Sequence, residues 1–168
     1  IKAIDYAIAR GARIINFSWG GYSNSPLLFE MLKRCQEKGV MIVAAAGNES
    51  NDNDQKPFYP ASFPLDNIIS VASVDFRGAV SSFSNYGKKT VHISAPGESV
   101  LTTVGEHRYG YKDGSSFAAP HIAGILNLIW SQQSNWKLGE LKNNLLNKCQ
   151  KTTSEPTSTI CGGSFKFP

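Results

Sequence analysis

No stretch of this 168-residue chain approaches the roughly 20 consecutive apolar residues that a membrane-spanning helix needs, which argues against such a span. Charge of one sign is also missing. Lys and Arg number 17 against 13 Asp and Glu, a formal net charge of +4, and the basic residues (Lys33, Arg34, Lys88, Lys89, Lys142) are scattered. No array of aromatic and basic side chains accompanies them, so the charge reads as a solvated surface and not as nucleic-acid binding. Cysteine is scarce: the chain has three, no pair has zinc-ligand spacing, and the odd count leaves one over or paired outside the chain. Cys35 lies on an apolar helical stripe and reads as a small buried hydrophobe. Cys149 and Cys161 flank a loop rich in Thr, Ser and Pro, where a disulfide in an oxidising compartment stays open. The chain also lacks an initiating Met and a basic leader. It begins inside a helical pattern, from which we expect that residues upstream are missing.

What is present is ordinary globular material. Hydrophobic residues make up 41% and charged residues 18%, which gives no indication of disorder, and the length suits one domain with its own core. Ile1, Ile4 and Ile8 recur at helical spacing and Gly11 closes the pattern. Residues 13–17 read as a short buried strand. Leu28, Met31, Leu32 and Cys35 form the i, i+3, i+4, i+7 stripe of a core-facing helix that Gly39 ends. The apolar runs 40–45 and 68–74 suit strands covered on both faces. Shorter strands are predicted near 91–94, 100–103 and 109–111, a central helix over 116–131, and a last amphipathic helix on Leu138, Leu141 and Leu145. Residues 150–168 read as irregular. Alternating helix and apolar strand predicts an α/β fold with a largely parallel sheet, whose ligands bind outside the carboxyl ends of the strands. Ser18-Trp19-Gly20-Gly21 and Gly47-Asn48-Glu49 follow two such ends and should face one crevice.

The segment Gly114-Ser115-Ser116-Phe117-Ala118-Ala119-Pro120-His121-Ile122-Ala123-Gly124 carries the chemistry. It puts a serine where a glycine-bearing loop enters a helix, close to free amide N–H groups and the positive end of the helix dipole. A hydroxyl so placed suits attack on a carbonyl, because the oxyanion that forms is stabilised there. The segment resembles the nucleophile motif of the subtilisin-like serine proteases, Gly-Thr-Ser-Met-Ala-Ala/Ser-Pro-His-Val-Ala-Gly, with Ser116 on the nucleophile and Phe117 in place of Met. Ala44-Ala45-Ala46-Gly47-Asn48-Glu49 is similar to the family's Ala-Ala-Gly-Asn motif, which implies that the Asn48 amide binds the oxyanion. Alone, Gly47-Asn48 would read as a turn. Ser18-Trp19-Gly20-Gly21 resembles the segment that pairs with the substrate backbone, although a glycine turn explains it equally well in isolation. Phe58-Tyr59-Pro60-Ala61 resembles the pocket-forming segment, with Tyr59–Pro60 the candidate cis bond and Phe58 where glycine is common. A shallow primary pocket follows. The segments 82–87 and 94–97 look like framework landmarks of the same family.

The resemblance implies a three-layer α/β/α subtilisin-like fold lacking its N-terminal part, with residues 1–148 the C-terminal portion of a peptidase domain and 149–168 an irregular extension. It implies a serine endopeptidase acting through an acyl-enzyme on Ser116, with Asn48 on the oxyanion. Ser18, Trp19, Gly20, Gly21, Ala45, Gly47, Phe58 and Ser115 would meet a polypeptide substrate. No residue here matches the family's Asp and His motifs. His92, His107 and His121, and Asp5, Asp75 and Asp113, fall outside them, so the missing upstream half is the expected partner and this piece alone should be nearly inactive. No cofactor is needed for such chemistry. Structural calcium belongs to the full domain, and no ligand cluster stands out in this chain. Secretion, or a secretory or vacuolar compartment, is expected from the same resemblance. The competing reading is a non-catalytic homologue that binds peptides in the same groove.

Overall fold

Each residue of the two central strands is buried, and their side chains alternate between two separate cores. The computed structural model describes residues 1–151 and 159–164. Its elements are α1 (Lys2–Ala9), β1 (Ile14–Phe17), α2 (Pro26–Glu37), β2 (Met41–Ala45), β3 (Ile68–Val74), β4 (Ile93–Pro96), β5 (Val100–Val104), β6 (Arg108–Lys112), α3 (Ser115–Gln132), α4 (Leu138–Asn147), β7 (Gln150–Lys151) and β8 (Gly163–Ser164). Met41, Val43 and Ala45 of β2 join Ile69 and Val71 of β3 against α3 and α4. Ile42, Ala44 and Ile68 turn the other way, toward Ile4 of α1 and Met31, Leu32 and Cys35 of α2. A strand shows successive side chains to opposite faces, so continuous apolar runs are what a sheet covered on both sides requires. The result is a three-layer α/β/α architecture.

The sheet runs β1-β2-β3-β4-β8-β7, with β1 to β4 and β8 parallel and β7 antiparallel at the edge. Phe17 at the end of β1 stands beside Ala44 of β2, so the loops leaving these strands emerge at one edge. The antiparallel pair β5–β6 then delivers the chain to the start of α3. Ser25 caps α2 by accepting from Leu28 N, with Pro26 in the first turn.

The irregular reading of the tail needs correction at four residues. Gln150–Lys151 and Gly163–Ser164 are strands, with Ser164 beside Ser94 and Ser94 Oγ donating to the Gly163 carbonyl at 2.9 Å. A disulfide joins Cys149 to Cys161. Two-residue strands carry no periodicity, and their pairing depends on the β4 edge, far away in sequence. The rest of that tail, residues 152–158 and 165–168, lies outside the described residues. Cys35 is a free, fully buried thiol in the core, as its stripe position predicts.

Candidate active site

The first turn of α3 and the loop after β2 are held together by an amide whose orientation is fixed by its neighbours. Ser115 N donates to Asn48 Oδ1 at 2.8 Å, and Ser115 Oγ lies 2.9 Å from the same oxygen. A backbone N–H can only donate, so the Asn48 atom facing it must be the oxygen. The other end of the amide, Nδ2, is thereby turned toward the nucleophile candidate. A methyl group built on Gly114 would stand 2.9 Å from Ser116 Oγ and 3.5 Å from Asn48 Nδ2. Hydroxyl and amide thus flank a single small space that only glycine leaves open. Gly114 also has φ +149°, a backbone setting that side chains disfavour. The Ser116 N–H, in the first turn of α3, has no intrahelical acceptor and sits at the positive end of the helix.

The β2 loop is itself rigidly braced. Gly47 takes φ +115°, and a side chain there would overlap the Asn85 amide. Asn85 Nδ2 donates to the Ala46 carbonyl and to Asn53 Oδ1, while Asn85 Oδ1 accepts from Glu49 N and Asn51 N. Asn85 belongs to the 82–87 segment read as framework, and that is its part here. Ser115, wholly buried, closes the back of the site: its Oγ also accepts from Gly47 N at 3.2 Å.

The β1 loop supplies the opposite wall. Ser18 Oγ donates to the Ser116 carbonyl at 2.7 Å. Trp19 is 55% exposed and stands edge-on to Phe17. Gly21 pairs within the chain: its N–H and C=O both bond Tyr59, at 2.8 and 2.7 Å. Gly20 is pressed against Phe58, and any side chain on it would overlap the Phe58 ring edge. Phe58 is only 6% exposed and packs edge-to-face on Tyr22. The Tyr59–Pro60 bond is cis, as expected. Ala45 is buried, its side chain in the core under α3.

Two residues at this edge have no counterpart in the sequence-based site. Glu49 Oε2 accepts from Asn48 N at 2.9 Å and from the Tyr22 hydroxyl at 3.4 Å. Burial, and then the Glu49 charge, raise the Tyr22 phenol above its ordinary value and keep it a donor. Glu49 closes the quoted Ala44–Glu49 segment and Tyr22 follows Gly21, but nothing in their spacing shows that they meet. The histidines lie elsewhere: His92 Nδ1 accepts from Ser70 N, His107 sits in the β5–β6 turn, and the His121 ring meets the Phe117 carbonyl. Among the described residues no cluster of His, Cys, Asp and Glu could hold a metal ion, and no helix is long and apolar enough to cross a membrane.

Residues 1–163 match the model of the subtilase family. The chain belongs to that family. This subtilase is 44% identical over 135 residues to Subtilisin-like protease 2 of Plasmodium falciparum, covering 78% of the chain and 10% of that protein. It is 33% identical over 168 residues to Subtilisin amylosacchariticus of Bacillus subtilis subsp. amylosacchariticus, covering 99% of the chain and 41% of that protein. Among solved structures, the prenylagaramide maturation protease PagA superposes with a TM-score of 0.85 at 28% identity, over 98% of this chain and 63% of that one. The subtilase chain therefore spans less than half the length of these two protein relatives.

Proposed function

We propose that this subtilase chain is the C-terminal portion of a serine endopeptidase catalytic domain, residues 1–148, with 149–168 an extension of it. Ser116 is the nucleophile. A His from the upstream half, oriented by an Asp, removes the Ser116 Oγ proton as Oγ bonds to the carbonyl carbon of a peptide. The oxyanion accepts from Asn48 Nδ2 and from the Ser116 N–H. The protonated His then gives its proton to the amine as the C–N bond breaks, leaving an acyl-enzyme. Water, deprotonated by the same His, attacks that ester and restores Ser116. The cycle uses protein groups alone. The observation that carries this reading is the Ser115 N–H bond to Asn48 Oδ1, which turns the donor end of the amide toward Ser116 Oγ.

The substrate is a polypeptide chain. Gly20, the last residue of the β1 loop before the Tyr59 bridge, backs onto Phe58, which fills the space beneath it and leaves a shallow primary pocket. Trp19 and Ser18 complete that wall, while Gly47, Ala45 and Ser115 support the other from within. The Cys149–Cys161 disulfide suits an oxidising compartment, in keeping with a secreted or secretory-pathway enzyme. The decisive experiment treats the whole protein, upstream sequence included, with a fluorophosphonate probe. We expect the label on Ser116, none in Ser116→Ala, and almost none on residues 1–168 alone. Equal labelling of Ser116→Ala would remove Ser116 as nucleophile. A wild-type protein that binds peptides but takes no label would favour the non-catalytic homologue.

A further inference from the structure

The Ser116 carbonyl is the odd group in the first turn of α3. In an α-helix the amide of residue i+4 donates to such a carbonyl, and here that residue is Pro120, which has no amide hydrogen. A hydroxyl from another layer takes the empty place: Ser18 Oγ, in the loop after β1, donates to the Ser116 carbonyl at 2.7 Å. The same hydroxyl accepts from Asn16 Nδ2 at 2.8 Å. With one lone pair engaged by an amide, its single proton is directed at the carbonyl. Asn16 is itself on β1, paired with Val43, so the chain of bonds runs from the sheet to the nucleophile residue.

We infer that Ser18 is a positioning residue for Ser116, held in turn by Asn16, and that it acts through the carbonyl that Pro120 leaves unpaired. The inference rests on the reading of Ser116 as nucleophile. It differs from the substrate-contact role that the motif alone suggests for Ser18, because the hydroxyl is turned to the helix and not to a ligand. Carbonyl and Oγ belong to one residue. Fixing the peptide plane after Ser116 fixes its ψ, and the backbone angles set the Cα–Cβ direction and limit the χ1 rotamers that aim Oγ. Misplacement of a reacting group by about 1 Å costs on the order of 100-fold in rate, so a partial loosening of this tie should cost about tenfold.

The test is a double-mutant cycle in the whole protein, read by steady-state kinetics on a short peptide substrate, by the rate of fluorophosphonate labelling and by Tm. Ser18→Ala should lower kcat about tenfold, with KM within about twofold and Tm nearly unchanged. Ser18→Thr keeps the hydroxyl and should recover most of kcat. Pro120→Ala supplies the missing amide hydrogen, so adding Ser18→Ala to it should cost less than about twofold. An unchanged kcat in Ser18→Ala, a change confined to KM, or the same penalty in both Pro120 backgrounds would each overturn the inference while the labelling of Ser116 stands. Absence of label on wild-type Ser116 would overturn the nucleophile reading, and this inference with it.

Discussion

Asn48 has two ends with separate duties, and substitutions can address them one at a time. Oδ1 accepts from Ser115 N at 2.8 Å and lies 2.9 Å from Ser115 Oγ, so it satisfies one of the otherwise unpaired amides of α3. Nδ2 faces the space beside Ser116 Oγ. Asn48→Asp keeps the shape and the acceptor but replaces the donor with an oxygen. Asn48→Leu removes both. In a related subtilisin, loss of one such side-chain donor lowers kcat by about 100- to 1,000-fold. The stability term does follow from this structure: the Leu variant strands a donor beside wholly buried Ser115, at about 1–3 kcal/mol. Both variants should therefore lose kcat by at least about 100-fold with little change in KM, while Asn48→Leu alone unfolds more readily in urea. The assay is steady-state hydrolysis of a chromogenic peptide by the whole protein, paired with urea unfolding. Should Asn48→Asp keep kcat within about threefold of wild type, the oxyanion role would be refuted.

Phe58 and His92 give two further tests. With Phe58 packed between Gly20 and Tyr22, the wild-type protein should prefer Ala to Phe at the residue whose carbonyl is attacked. Phe58→Gly should raise the Phe-to-Ala ratio of kcat/KM by about tenfold or more, a ratio independent of how much variant is folded; an unmoved ratio would rule out Phe58 as the floor. Burial, and then the nearby Lys142 charge, lower His92 from 6.5 to about 3. The unfolded chain therefore takes up a proton below pH 6.5 that the folded chain refuses until about pH 3. Unfolding free energy should rise as pH increases from about 3 to 6.5, by up to about 1.4 kcal/mol per unit, and be level above that as far as His92 is concerned. His92→Asn, which retains an acceptor for Ser70 N, should flatten the slope in urea titrations; parallel slopes would refute the assignment.

Much of the fold can be read along the chain because its signals are local. Met41–Ala45 and Ile68–Val74 are continuous apolar runs since both their faces are covered, and a run needs no partner to be seen. The stripe of α2, stopped before Gly39, is likewise visible in one window. The strands β7 and β8 escape because two residues have no period: they pair with each other, and β8 alone reaches β4, more than a helix away in sequence. Gly21 shows a related limit. Its glycine pair suits backbone pairing, and which backbone it meets is not written in the segment: the fold bridges it to Tyr59 of the same chain.

At the site the division is sharper. Composition and order alone put a serine at the head of a buried helix, an asparagine after a sheet strand and a proline four residues beyond the serine, for these are properties of single segments. Which end of the asparagine faces the serine, what fills the carbonyl that the proline leaves bare, and how closely Phe58 packs under Gly20 were settled only when separate segments met. Side-chain chemistry is written residue by residue, whereas hydrogen-bond direction and free volume belong to pairs of groups, and the fold chooses the pairs.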